Sequence, residues 1–495
     1  MRIQAITSRV ALPVLLALAL GGCESFLDVN ENPNAPENAR IDIRLPGLIG
    51  AFAHSTYYGE TMLWGSEWTQ QFSFNRNTRS YAEVHRYELQ ETDGTSAWDY
   101  FYAGPLNEAN NLMKDASDDN DIVYRGLGKF FYAWIFAHVT DMWGPVPFTE
   151  AFDPTIREPK YDEQKAIYEA VHTLFDEAIT EMSSPTGRRP TSNDLLFDGD
   201  MTRWVKLARH VQARHHLRLA YAPGEDKVAR AQKALTALQQ AFTGNADDAD
   251  FIYPGGENAR NPLYTFEDLE GQLVASEYMV ELLRSRSDPR LPIYAQPIFY
   301  DSIRGTGASR VTYPAAPNTF RGHKNGEASE SDSTVSWVGT YFSNEDASLS
   351  IASFADQKFT EAEATLIVSG PGAADLPYRE GIRANMQKLG IANAAIDAYI
   401  AAQPPLASAA NPLEEIIIQK YIANYLKVES WNDWRRTGFP RLEIVDQAML
   451  PGIPQRVRTP GSELTNNINQ VRATGIPIGL EGMMTKVWWA SQGPQ

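Results

Sequence analysis

Apolar side chains recur at helical spacing over much of the first half of the chain. Ile167, Tyr168, Val171, Leu174, Phe175, Ala178, Ile179 and Met182 follow i, i+3, i+4, i+7 without a break. That pattern predicts an amphipathic helix, with Asp162 placed to cap it and Glu163 in its first turn. Asp200 precedes a second stripe, Trp204, Ala208, Val211 and His215, and Val228, Ala231, Leu235, Leu238 and Phe242 form a third. Trp98 to Lys114 reads as helix with a kink at Gly104-Pro105. Ile122 to Thr140 is apolar nearly all round, the signature of a helix buried between neighbours. Further on, Asn411-Pro412-Leu413-Glu414 supplies a cap, a first-turn proline and a capping-box acid. The stripe behind it is Leu413, Ile416, Ile417, Tyr421, Tyr425 and Val428.

Helices in pairs with short connections predict a mainly α fold, a superhelix of tetratricopeptide-like repeats. No strict period of about 34 residues is visible, so the repeats are degenerate. Between about residues 250 and 410 the pattern changes. Pro, Gly, Ser and Tyr become frequent, as in Arg286 to Asn318, and helical periodicity fades apart from Leu273 to Leu283. A loop-rich, irregular second region with short strands is expected there. Loops on a rigid scaffold are where binding surfaces are usually found.

The N-terminus reads as an export signal. Arg2 and Arg9 are its only charges, Val10 to Leu20 is an apolar run too short to span a bilayer, and Leu20-Gly21-Gly22-Cys23 resembles a bacterial lipoprotein processing box. Cys23 is the only cysteine in the chain, which excludes an intramolecular disulfide and any thiolate cluster. The expected organisation is a signal peptide over 1–22, a lipidated tether over 23–40 and a body over 41–495. Within the body, helical repeats fall mainly at 98–245 and 411–440. Cys23 is the predicted lipidation site, carrying palmitate-type acyl chains, and the anchor is the only membrane contact expected.

Charge narrows the function. Lys and Arg total 44 against 62 Asp and Glu, a net charge of −18, which argues against nucleic acid as a partner. Phosphate-loop, dinucleotide, nucleophile-elbow and H-E-x-x-H signatures are absent from the sequence. His215-His216 point about 100° apart on a helix and cannot chelate one ion together. The acidic run Asp115 to Asp121 has alternating oxygen ligands but lacks the glycine and glutamate of an EF-hand loop, and reads as a solvated turn. No catalytic residue, metal or cofactor is predicted; structural calcium has no support. A carboxylate pair of the glycosidase kind is compatible with any chain holding 62 acids, so hydrolysis stays open at this stage.

Aromatic content is the most informative bulk feature: 11 Trp, 22 Tyr and 21 Phe. Sugar rings stack their C–H patches on flat aromatic faces while Asn, Asp and Arg bond their hydroxyls. Trp64 and Trp68, followed by Gln70, Gln71, Asn75 and Arg76 on a poorly helical stretch, form one candidate ligand group. Tyr294, Tyr300 and Trp337 in the loops form a second.

Several segments together resemble the SusD/RagB family. They are the lipobox running into Cys23-Glu-Ser-Phe-Leu-Asp28, then Asp141-Met-Trp-Gly-Pro-Val-Pro-Phe-Thr-Glu-Ala151, and Pro159-Lys-Tyr-Asp-Glu-Gln164 with Ile167-Tyr168. Phe197-Asp-Gly-Asp200-Met-Thr-Arg-Trp204, Trp431-Asn-Asp-Trp-Arg-Arg-Thr-Gly438-Phe-Pro440 and the closing Lys486-Val-Trp-Trp489 complete the set. The chain departs from the family pattern at Arg458 to Asn466, where a Tyr-Pro pair is lost. In Arg435-Arg436-Thr-Gly438-Phe-Pro440, glycine can end a helix, proline forbids its continuation, and the arginines are placed to bind the last carbonyls. The resemblance implies a non-catalytic lipoprotein of the outer membrane, facing the cell exterior. Such a protein captures an oligomeric nutrient, mostly oligosaccharide and in some members peptide, for a SusC-like TonB-dependent transporter. A lipid-anchored glycan hydrolase is the alternative. Neither aromatic group matches a family motif, so the site assignment rests on chemistry.

Overall fold

A computed structural model describes residues 40–75, 83–265, 273–305 and 309–491. Helices of nine residues or more are α1 (Ile41–Ala53), α2 (Glu60–Trp68), α3 (Asp93–Phe101), α4 (Asn107–Asp118), α5 (Ile122–Trp143), α6 (Gln164–Met182), α7 (Met201–Arg218), α8 (Lys227–Leu238), α9 (Glu277–Ser285), α10 (Phe354–Ser369), α11 (Pro371–Lys388), α12 (Asn393–Ala402), α13 (Pro412–Ala423) and α14 (Glu429–Thr437). Consecutive partners stack side by side, α4 on α5, α5 on α6, α6 on α7 and α7 on α8, which is the tetratricopeptide-like arrangement expected. The stack then turns onto α10, which packs on α8, α11 and α13.

Strands among the described residues form only antiparallel pairs: β1 (Phe72–Phe74) with β5 (Leu273–Ala275), β2 (Val146–Pro147) with β3 (Tyr161–Asp162), β4 (Ala249–Phe251) with β8 (Leu349–Ala352), and β6 (Tyr300–Arg304) with β7 (Val311–Pro314).

Local chemistry accounts for several helix ends. Asp200 accepts from the Thr202 and Arg203 amides, and Asn411 accepts from the Glu414 amide behind Pro412. Asp162 does not cap α6. It sits in β3 and accepts from the Phe148 and Thr149 amides, tying the β2 turn down, and Glu163 takes the cap position without a side-chain bond. Gly104 leaves helical geometry between α3 and α4, where the kink was expected. Asp115 and Asp121 of the acidic run bind Arg44 and Arg188.

Two readings change. Trp64 and Trp68 lie on a regular helix, not a poorly helical stretch, because α2 docks on α14. A Cβ at Gly65 would meet Val428 Cγ2 at 3.1 Å and Trp431 Cβ at 3.3 Å, so glycine permits the approach. The 250–410 region also holds α10, α11 and α12. Of these, α10 buries polar side chains against its neighbours. Asp356 meets Arg214, Glu363 meets Arg436, and Gln357 bonds both backbone groups of Phe242, so buried polar residues interrupt the apolar positions of α10.

Four of the six family-like segments meet in one buried knot, those holding Asp141, Tyr168, Arg435 and Trp489. Asp141 accepts from Tyr168 Oη and from Trp489 Nε1, both at 2.6 Å, and pairs with Arg218. Arg218 and Arg214 both reach Glu429. Arg435 donates to the Asp141 and Gln455 carbonyls and lies 3.6 Å from the Trp431 ring centre, while Arg436 pairs with Glu363 and Asp433. These arginines therefore bridge helices rather than closing the end of their own. Gly438 does end α14 as expected, at φ 76°. Burial alone would raise the Glu429 carboxyl, but Arg218 and Arg214 outweigh it and hold the group far below the usual carboxylate range.

Candidate functional site

The loop-rich region presents exposed aromatic side chains together on one hairpin. In the β6–β7 hairpin, Ser302 faces Tyr313, Ile303 faces Thr312 and Arg304 faces Val311, with a bulge next to Tyr300. All of β7 is exposed, and Phe299, at the base of the hairpin, is 72% exposed. Arg304 lies over the Tyr313 ring at 5.5 Å. The other wall is the segment 330–337. Trp337 Nε1 donates to the Asp332 carbonyl at 2.9 Å, and the Phe299 and Tyr300 amides donate to the Ser333 carbonyl. Arg321 clamps the two walls together, donating to the Asp301 carbonyl at 2.8 Å and Asp301 Oδ1 at 3.0 Å on one and to the Thr334 carbonyl at 3.4 Å on the other.

Three predicted residues meet here. Trp337 and Tyr300 are half-buried, each anchored through a nitrogen while part of its surface remains open. Asn75 arrives from the other candidate group, but its side chain is buried and fully engaged. Its Oδ1 accepts from the Glu330 amide at 2.8 Å and its Nδ2 donates to Asp332 Oδ1 at 2.8 Å. Asn75 thus braces the 330–337 segment and, at 1% exposure, presents no amide to a ligand hydroxyl. Arg76 and Cys23 lie outside the described residues.

The remaining candidates are placed elsewhere. Trp68 is 0% exposed and Trp64 nearly so; they stack on each other at 6.4 Å, and Trp68 meets Trp431 edge-on at 5.0 Å. Their rings are core and offer no face to a sugar. Gln71 is likewise internal, bonding the Tyr421 and Asn424 carbonyls and Ser430. Tyr294 is buried, its hydroxyl on the Ile422 carbonyl at 2.7 Å, and burial pushes its phenol above the usual range. It lines a separate cleft with Tyr341, Phe342 and Lys388. Sequence reasoning missed Phe299, Tyr313, Asp301 and Arg321. Phe299 stood beside the chosen Tyr300 and carried the same aromatic signal, whereas a clamp between residues 301 and 321 leaves no local trace.

A family model described as starch-binding, associating with the outer membrane, matches residues 48–460. The chain belongs to the SusD-like family. Its solved relatives share the whole architecture. A chitin-binding protein is 24% identical with a TM-score of 0.78, covering 91% of this chain and 100% of its own. A SusD/RagB protein from Bacteroides thetaiotaomicron is 22% identical (TM-score 0.76; 92% and 100% covered), and a chitin-binding SusD homolog from Flavobacterium johnsoniae is 20% identical (0.77; 92% and 100%). No curated protein sequence is significantly similar to the chain. Among the described residues no helix of this SusD-like chain is long and apolar enough to cross a membrane, and no group of three or more potential metal ligands is assembled.

Proposed function

We propose that this SusD-like chain is a cell-surface lipoprotein, anchored through Cys23, that binds oligosaccharides and passes them to a SusC-like TonB-dependent transporter without cleaving them. The observation that carries the reading is the pair of loop walls on which Trp337 and Tyr300 are held rigidly with part of each side chain open, beside exposed Phe299 and Tyr313. Exposed aromatics on a braced scaffold suit C–H stacking, and the polar rim of Asp301 and Arg321 suits hydroxyls. The family description and the chitin-binding relatives favour a glycan over a peptide.

Equilibrium titration with chito- and malto-oligosaccharides, followed by chromatography of the recovered ligand, tests this. Saturable binding with intact ligand is expected. Phe299→Ala and Trp337→Ala should each weaken binding by about 1 kcal/mol, fivefold or so. Released shorter oligosaccharides would instead establish the hydrolase reading. Affinity purification from outer membranes should recover a large β-barrel, and labelled palmitate should enter the wild type but not Cys23→Ala.

A further inference from the structure

A second cleft, sharing no residue with the Trp337 face, opens between α11, β8 and the turn joining α13 to α14, with an inner volume of about 70 Å³. One wall is aromatic: Phe342 packs edge-on against Tyr294 at 5.1 Å and Tyr425 at 5.0 Å, and Tyr341 extends the row while remaining 41% exposed.

Lys427 lines this cleft. Its side chain is only 7% exposed, yet among the described residues its ammonium makes neither a hydrogen bond nor an ion pair. Burying a cation without a partner is costly, and such groups are normally paired. The contrast inside this molecule is direct. Lys420, also buried, pairs with Asp433 at 3.0 Å, and Lys388 on the rim of the cleft binds Asp248 at 2.6 Å and Asp250 at 2.8 Å. Both acids are thereby occupied, and Lys427 feels Asp356 and Asp250 only at longer range, opposed by Lys388 and Arg214. The turn that delivers it holds Leu426 at φ 58°, a left-handed conformation unfavourable for a bulky side chain. Ser350 Oγ, buried and lining the same cleft, is also without a partner among the described residues.

We infer that this cleft binds a carboxylate-bearing sugar, Lys427 and Ser350 donating to it and Tyr341 stacking on its ring. An unpaired ammonium asks for an anion, the aromatic row asks for a flat ligand with C–H faces, and the spare hydroxyl suits a polyol. The choice of a sugar acid over another carboxylate rests on the glycan-binding reading above; the anion site itself does not.

The test titrates the full chain, purified in detergent, with trigalacturonate and with neutral galactotriose near neutral pH. The acidic ligand should bind at least about tenfold more tightly. Lys427→Met should abolish that preference and Ser350→Ala reduce it, with the melting transition retained in both. Burial lowers the Lys427 ammonium to about 8, so the preference should fade as pH rises past that value. A wild type without acid preference, or a Lys427→Met variant that keeps it, overturns the inference. Lysine-dependent binding of a short peptide acid but not its amide, with no response to trigalacturonate, overturns the sugar assignment and leaves an anion site. Loss of neutral chito-oligosaccharide binding in Trp337→Ala but not in Lys427→Met separates this cleft from the face proposed above.

Discussion

The helical stack and the loop-rich region treat polar and aromatic side chains in opposite ways. In the stack, charges are buried and matched: Arg214, Arg218, Arg435 and Arg436 are each met by carboxylates or carbonyls. Its tryptophans are packed, as in the contact of Trp68 with Trp431. In the loop region, Phe299 and Tyr313 lie open and Trp337 is held by one nitrogen, and at its border the turn between α13 and α14 leaves Lys427 unpaired in a cleft. The difference separates motif from site. Four of the segments that carry the family likeness close a structural knot, whereas the groups available to a ligand lie outside those segments.

The largest effects should come from breaking the knot. Arg436→Ala strands Glu363 in the core, leaves Asp433 with Lys420 alone, and should cost about 3–5 kcal/mol in denaturant unfolding. Trp68→Ala removes a wholly buried ring and should cost about as much, 3–5 kcal/mol, while the folded fraction keeps its oligosaccharide affinity. A loss of affinity without loss of stability in Trp68→Ala would erase the distinction between the two regions.

Acid should act mainly on the stack. Burial lowers His138 and His172 from 6.5 to about 3 and His210 to about 4. The unfolded chain therefore takes up protons below about pH 6.5 that the folded chain refuses until about pH 4. Stability should fall progressively as pH drops through that window, measurable as a declining denaturation midpoint. A flat profile would show that these histidines are not buried neutral. The smallest effect should be a gain. Lys427→Met removes an unpaired buried charge and should raise the ligand-free melting temperature, by an amount corresponding to about 1 kcal/mol. A drop would indicate that the lysine has a structural partner.

Much of the stack was legible in the sequence because its helices carry apolar stripes. The 167–182 stripe lies within α6, and the nearly all-apolar Ile122 segment is the buried α5. α10 was not, since the polar residues on its core face, Asp356, Gln357 and Glu363, are satisfied by partners on other elements. The site was partly legible. Tyr300 and Trp337 were chosen on aromatic chemistry and lie together on braced loops. Asn75 was chosen for hydroxyl bonding, and its amide supports the loop instead. Trp64 and Trp68 carried the same aromatic signal as Trp337, and only the docking of α2 on α14 through Gly65 distinguishes core from surface.

Amide hydrogen exchange with and without a bound chito-oligosaccharide tests most directly the claim that the loops bind and the stack supports. Ligand-induced protection should be confined to residues 296–304 and 311–338, with α4 to α8 unchanged. Protection concentrated on α4 to α8, with residues 296–338 unaffected, would contradict it.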